Sequence, residues 1–305
     1  MIVGQGNVAV DVCRILSKTV EELKNTDITS YALEALVPSK IKEVHMIGRR
    51  GPAQAAFTPV EIREFGTLMD CDPVVRSQDL ELNEASVKEL QDPRNAPKKK
   101  NYEILKEFAS RGSGSKRKKF FFHFLKSPAA LIGQKKLAKI VLEKNTLSGG
   151  PNQQKANGSG VKEELPCGIF FRSIGYRGVP IAGIPFDEKS GVISNEGGRV
   201  VKGGEILKGL YTAGWIKRGP MGVIGTNKAD SEETVKHLWE DIAQLPPCPQ
   251  PDDALFGKFL QEKKICFVSF SDWKKIDAAE IERGKPLGKP REKFVTKEEM
   301  LGVLK

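Results

Sequence analysis

Two short runs carry residue types that could hold phosphate. Gly4-Gln5-Gly6-Asn7-Val8-Ala9 follows directly on apolar Met1-Ile2-Val3, and Gly48-Arg49-Arg50-Gly51 follows the alternating run Ile41 to Ile47. The first N–H groups of a helix have no partner within it. Together with the positive end of the helix dipole they favour an anion. Val8, Val10, Val12, Ile15, Leu16, Val20 and Leu23 recur at helical spacing, with Asp11, Arg14 and Lys18 interleaved. The pattern predicts strand, tight turn and helix, the opening of a dinucleotide-binding βαβ unit. Gly4 permits the turn, Gly6 lets the backbone approach a pyrophosphate, and small Ala9 lets helix and strand pack closely. At the end of the second strand an acid would bind the 2′-hydroxyl of NAD, whereas cations suit the 2′-phosphate of NADP. Arg49 and Arg50 are therefore candidate 2′-phosphate ligands. Taken alone, the same residues also fit a plain glycine turn before a helix and a solvated strand end.

These residues must be positioned by a chain of 305 residues, enough for roughly two domains. Lys+Arg 49 against Asp+Glu 39 gives a formal charge of +10, and 39% of residues are apolar, so a core can be buried. No apolar run approaches the roughly 20 residues a membrane-spanning helix needs. The N-terminus shows no basic-then-apolar leader. Three residues make a marginal first strand, and the sequence reads as the C-terminal portion of a longer protein. Cys13, Cys71, Cys167, Cys248 and Cys266 lie far apart without a C-x-x-C spacing. This argues against an iron–sulfur cluster, a structural zinc or a disulfide framework, and for a reducing compartment. His45, His123 and His237 stand singly, as structural histidines do, and no metal site is expected.

After Thr58-Pro59, where Thr would cap and Pro take the first helical position, Glu61 to Gly66 continues a short helix. From Arg94 to Lys119 ten basic residues face only Glu103 and Glu107, and Arg111-Gly112-Ser113-Gly114-Ser115 sits among them. This stretch reads as a mobile basic loop. It could meet an acidic protein, an anionic membrane face or nucleic acid. No aromatic residues alternate with its cations and no recognition motif accompanies them, so nucleic acid is not an expected partner. Phe120 to Leu125 predicts a buried strand, Lys139 to Leu142 another, Ser148 to Gly160 a loop, and Cys167 to Tyr176 a strand that ends the first domain near Val179. Gly209 to Trp215 predicts a short strand, Lys217 to Asn227 a glycine-rich turn, and Ser231 onward a helix.

Four separated motifs, in order, resemble the adrenodoxin reductase family. They are Gly4-Gln5-Gly6-Asn7-Val8-Ala9, Gly48-Arg49-Arg50-Gly51-Pro52 with Gln54-Ala55-Ala56-Phe57-Thr58, Gly214-Trp215-Ile216-Lys217-Arg218-Gly219-Pro220 with Gly222-Val223-Ile224, and a tail containing Phe270-Ser271-Asp272-Trp273 and Gly288-Lys289-Pro290-Arg291-Glu292-Lys293. The resemblance implies an α/β fold: a Rossmann-like NADP-binding domain over residues 1–178, with the basic loop at about 94–119, followed by the C-terminal part of a split FAD-binding domain over 179–305. The family's N-terminal FAD-binding segment has no counterpart here, and Met221 stands where a small or hydroxyl residue is expected. The resemblance implies an oxidoreductase of the EC 1.18.1 type that moves electrons from NADPH through FAD to an acidic ferredoxin- or adrenodoxin-type iron–sulfur protein. A truncated NADP-binding fragment without catalysis is the alternative. By the same resemblance Gln5, Gly6, Asn7 and Val8 contact the NADP phosphates, Arg49 and Arg50 the 2′-phosphate, and Glu61 another part of NADP. Trp215, Gly222, Val223 and Ile224 contact FAD, with Gly222 also near the nicotinamide. No side chain is expected to act as a catalytic acid or base, because hydride transfer depends on close, oriented rings. Arg63 and the basic stretch would steer the acidic partner. The resemblance places the protein in mitochondria, in the matrix or at the inner-membrane periphery, with peripheral membrane contact left open.

Overall fold

A computed structural model describes the backbone of every residue except Val223, and every side chain except those of Val223, Ile224 and Asp253. Chain contacts divide it into two compact units, Met1–Ile174 with Val268–Lys305, and Gly175–Phe267.

In the first unit the elements run β1 (Ile2–Val3), α1 (Asn7–Ser17), α2 (Val20–Leu23), α3 (Ser30–Leu36), β2 (Glu43–Ile47), α4 (Pro59–Arg63), β3 (Cys71–Val74), α5 (Glu84–Gln91), α6 (Ala96–Arg111), β4 (Lys118–His123), β5 (Lys126–Gly133), β6 (Leu137–Ser148), β7 (Lys155–Pro166) and β8 (Phe171–Arg172). A parallel sheet has the order β3-β4-β2-β1-β8, and β5-β6-β7 form an antiparallel sheet. Alternation along β4 sorts its aromatics. Phe120 and Phe122 bury into a core with Ala9, Val10 and Cys13 of α1, Ile62 of α4, and Ile104, Leu105 and Phe108 of α6. Phe65 stacks on Phe120 with centroids 4.1 Å apart. Ile47 instead joins Ile140 and Leu142 of β6 in a second apolar cluster. The parallel sheet is thus packed by helices through one cluster and by the antiparallel sheet through the other.

Several elements differ from the sequence expectation. The stretch 94–119 is not a loop: α6 occupies most of it, because Ile104, Leu105 and Phe108 give it a buried face that a count of charges conceals. Many of its cations are also neutralised. Arg94 pairs with Asp92, Lys98 with Glu89, Arg111 with Glu107, Arg117 with Asp70, and Lys116 and Lys119 with Asp72. The long first helix breaks at Lys18, and α2 restarts on its own capping box between Thr19 and Glu22. Residues 155–160 belong to β7, paired with β6 from Lys155 opposite Ser148, so the loop there is confined to residues 149–154. The strand expected over Cys167–Tyr176 shrinks to Phe171–Arg172, matching its two-residue partner β1. Thr58 occupies the N-cap position of α4 but makes no side-chain cap bond.

The tail, α10 (Phe270–Gly284) and α11 (Lys297–Gly302), belongs to the first unit, whereas the sequence reading joined it to the second domain from 179. Ion pairs and caps hold it there. Glu292 accepts the Ser30 amide at 2.7 Å, and Lys293 meets Asp27 at 2.5 Å. Between β8 and this tail the second unit contains β9 (Phe186–Asp187), β10 (Val192–Ile193), β11 (Asn195–Glu196), β12 (Arg199–Lys202), β13 (Glu205–Tyr211), α7 (Trp215–Arg218), α8 (Ile224–Asp241) and α9 (Asp253–Glu262). Its strands pair antiparallel in two small sheets, β10-β9 and β11-β12-β13. Helix α8 begins at Ile224, earlier than Ser231, so part of the expected glycine-rich turn is helical.

Candidate functional site

The first site is built where β1 and β2 end side by side. Val3 lies opposite Ile47 in the parallel ladder, so the turns after both strands leave from the same edge. Gly4 continues the ladder by donating to the Ile47 carbonyl at 2.9 Å, at φ +134°. A Cβ there would lie 1.9 Å from the Ser173 carbonyl oxygen, so glycine is required by the approach of the chain beyond β8. Gly6 differs: a Cβ on it would meet nothing within 4 Å, and the position faces open space.

Gly6 is also the N-cap of α1. No side chain caps this helix and no acid occupies its first turn. Asn7, whose amide oxygen could have capped, instead accepts the Thr58 backbone N–H at 2.9 Å and ties the helix start to the chain beyond β2. Gln5 makes a second tie, its carbonyl accepting from the Ala56 N–H at 2.8 Å. The Gln5 side chain lies across Gly48, where a Cβ would fall 1.7 Å from its Cδ, and its buried Nε2 has no hydrogen-bond partner in the protein. Val8 is exposed. The turn therefore offers uncapped amides, an open approach at Gly6 and an orphaned amide donor, the chemistry a pyrophosphate needs.

Arg49 is exposed and Arg50 half-buried. Neither guanidinium has an ion pair or hydrogen bond among the described residues, although both main-chain carbonyls are bound. The Arg49 carbonyl accepts from Asn145 Nδ2 at 2.9 Å and the Arg50 carbonyl from the Leu125 N–H at 3.1 Å. Two free cations on a fixed backbone match an added phosphate. Glu61 is placed otherwise. Its carboxylate bonds Arg14 at 2.6 Å, and Arg14 also holds Glu64 at 2.7 Å. Arg14 lies seven residues, about two turns, along α1 from Asn7.

Two of the three histidines are not solitary. His45 Nδ1 and His123 Nε2 lie 2.9 Å apart, and Lys126 Nζ is 3.4 Å from His123 Nδ1. Burial, with Lys126 and then His45 adding like charge, pushes the His123 pKa down to about 3. Among the described residues no group of three or more His, Cys, Asp or Glu side chains could hold a metal ion.

In the second unit the run 214–222 is pinned to α8. The Gly214 N–H donates to Asp230 Oδ2 at 2.6 Å, and buried Lys217 meets Asp230 at 3.1 Å and Glu233 at 2.7 Å. Trp215 remains half-exposed and stacks on Tyr176, centroids 5.9 Å apart. Gly222 has φ +88°, and a Cβ there would meet Thr226 Oγ1 at 2.5 Å. Val223 lies outside the described residues, as does the Ile224 side chain. Sequence reasoning missed Asn145, Asn101 and Asp230, each a polar residue set within an otherwise ordinary strand or helix. The available signal was buried polarity. Asn101, for instance, sits beside the apolar stripe of α6 and donates to the Phe57 carbonyl at 2.6 Å.

No protein-family model matches the chain. NADPH-ferredoxin reductase FprA of Mycobacterium tuberculosis is 39% identical to it over 99% of the chain and 66% of the relative. Mitochondrial NADPH:adrenodoxin oxidoreductase of Homo sapiens is 40% identical over 100% of the chain and 63% of the relative. A solved structure of M. tuberculosis FprA in complex with NADPH superposes with a TM-score of 0.87 at 39% identity, covering 99% of this chain and 66% of that one. The chain thus spans a little under two thirds of the length of these relatives. The likeness runs through both units and the tail, and the chain belongs to the adrenodoxin reductase family of NADPH–ferredoxin reductases.

Proposed function

We propose that the chain is the NADP-binding and C-terminal portion of an FAD-dependent oxidoreductase that takes electrons from NADPH and delivers them to a ferredoxin- or adrenodoxin-type iron–sulfur protein. The observation that carries this is the uncapped start of α1, open at Gly6, at the sheet edge from which the Arg49–Arg50 turn also leaves, with neither guanidinium partnered among the described residues. Gln5, Gly6, Asn7 and Val8 would hold the NADP phosphates through backbone N–H groups and the Gln5 amide, and Arg49 and Arg50 would grip the 2′-phosphate. Glu61 orders α1 against α4 through Arg14, and we assign it that role rather than direct contact. Trp215 and Gly222, with Val223 and Ile224 beyond, are assigned to FAD. A half-exposed indole and a residue that cannot carry a side chain suit the face and edge of a flat ring system. FAD, when bound, links a two-electron donor to a one-electron acceptor.

For the acidic partner we assign Arg63, Lys99 and Lys100, which have no ion pairs among the described residues and line one cleft between α4 and α6 together with Glu103 and with Glu107, itself paired to Arg111. Their attraction would show as salt-sensitive rates. Among the described residues no helix is long and apolar enough to cross a membrane. A mitochondrial setting belongs to the eukaryotic relatives, FprA being bacterial, and is proposed here on that likeness alone.

The test is ferredoxin reduction by the FAD-loaded protein, with NADPH against NADH. Charge-assisted contacts of about 1.5–3 kcal/mol predict that R49A/R50A lowers the preference for NADPH by roughly 10–100-fold. An unchanged preference would remove the assigned role of the two arginines. A protein that neither retains flavin nor reduces ferredoxin would leave dinucleotide binding alone.

A further inference from the structure

Two departures from regular geometry and one buried polar side chain converge on the backbone of Arg49 and Arg50. Leu125, a non-glycine residue at φ +54°, turns the chain between β4 and β5, and its N–H donates to the Arg50 carbonyl. The β6–β7 ladder shifts register between Glu143 and Asn145, and such irregularities re-aim a side chain. Asn145 itself is buried, and its Nδ2 donates to both the Arg49 carbonyl at 2.9 Å and Ser127 Oγ at 2.8 Å. The Asn145 N–H also bonds the Leu125 carbonyl at 2.8 Å, so the strained residue is held from both sides. Strain of this kind persists only where its surroundings enforce it, and it gathers at ligand clamps.

We infer that Asn145 is a positioning residue for 2′-phosphate selection, bracing the Arg49–Arg50 backbone from the antiparallel sheet. The inference rests on the reading that these arginines grip that phosphate. Their side chains have no protein partner to steady them, so their placement is set by the main chain from which they project. Gly48 is fixed by two further bonds, its N–H to the His123 carbonyl at 2.8 Å and its carbonyl from the Lys126 N–H at 3.0 Å. Beyond it, among the described residues, the Arg49 carbonyl is held by Asn145 and the Arg50 carbonyl by Leu125. A carboxamide is needed because two donors must leave one buried atom; a leucine of similar size offers none.

The test compares the affinities of the chain for 2′,5′-ADP and for 5′-ADP by calorimetry. N145L should weaken 2′,5′-ADP by about tenfold and 5′-ADP by less than about twofold, since one buried hydrogen bond is at stake. S127A, which keeps the Arg49 bond, should leave the ratio within about twofold. A purely structural role would lower both affinities together. If N145L holds the wild-type ratio while R49A/R50A loses it, the brace is wrong and the arginine reading stands. If R49A/R50A itself leaves the ratio unchanged, that reading fails first. Should N145L not fold, N145V, which is smaller and likewise has no donor, is read in its place, and an unchanged ratio there overturns the inference equally.

Discussion

Residues 1–174 and residues 175–267 dispose of their apolar side chains in opposite ways. The first region closes a core on itself, with Phe65, Phe108, Phe120 and Phe122 fully buried. In the second, Ile193 and Val200 are the buried apolar residues among those described, while Trp239 and Phe256 stand about two thirds exposed at 67% and 66%. Monomeric proteins seldom leave such side chains in groups without a partner surface. The difference teaches that the dinucleotide turn rests on a self-sufficient scaffold. The run around Trp215 is fixed locally by Asp230 and Lys217 but lacks a core beneath it.

The comparison is broken most forcefully by core truncation. Phe120→Ala should cost about 3–5 kcal/mol in urea unfolding, whereas Trp239→Ser should change stability by less than about 0.5 kcal/mol. Similar costs for the two would mean that Trp239 is packed in solution and that the regions do not differ as described.

Within the first region the two turn glycines should separate next. Gly4→Ala forces a side chain into the Ser173 carbonyl at an unfavourable φ and should lose about 1–3 kcal/mol of stability. Gly6→Ala meets open space, so its cost in stability is only the poorer N-cap, about 0.5–1 kcal/mol. It should nonetheless weaken NADP by about fivefold, because the added methyl occupies the approach of the phosphates. Equal losses of stability in the two variants would remove the distinction between a structural and a ligand-facing glycine.

A pH slope also belongs to the first region. The ordinary His pKa of 6.5 applies to the unfolded chain, and burial lowers the folded value of His123 to about 3. The stability contributed by the neutral ring is therefore complete above pH 6.5 and is lost as pH falls toward 3. One extra proton bound by the unfolded state gives roughly 1.4 kcal/mol per pH unit at the steepest. His45, also lowered by burial, acts in the same direction. H123Q should flatten the slope, measured as unfolding midpoint against pH; an unaltered slope would place the titration elsewhere.

Much of the first region was legible because its signals are local. Gly4 to Ala9 and Ile41 to Arg50 state strand, turn and helix within a few residues of one another. The family motifs around Trp215 and in the tail were equally plain. What escaped depends on contacts distant in sequence. The apolar stripe of α6 was hidden by the lysines sharing its residues, and the His45–His123 contact joins neighbouring strands separated by 78 positions. Asn145 acts 96 residues from Arg49. The docking of the tail through Glu292 and Ser30, 262 positions apart, has no local signature at all.

The central claim is that the α1 amides and the two arginines together select a dinucleotide bearing a 2′-phosphate. Calorimetric titration of the chain with NADP⁺ and with NAD⁺ tests it most directly. The account predicts that NADP⁺ binds tighter by roughly 10–100-fold, as one or two charge-assisted contacts would give. Equal affinities, or no binding of either, would contradict it.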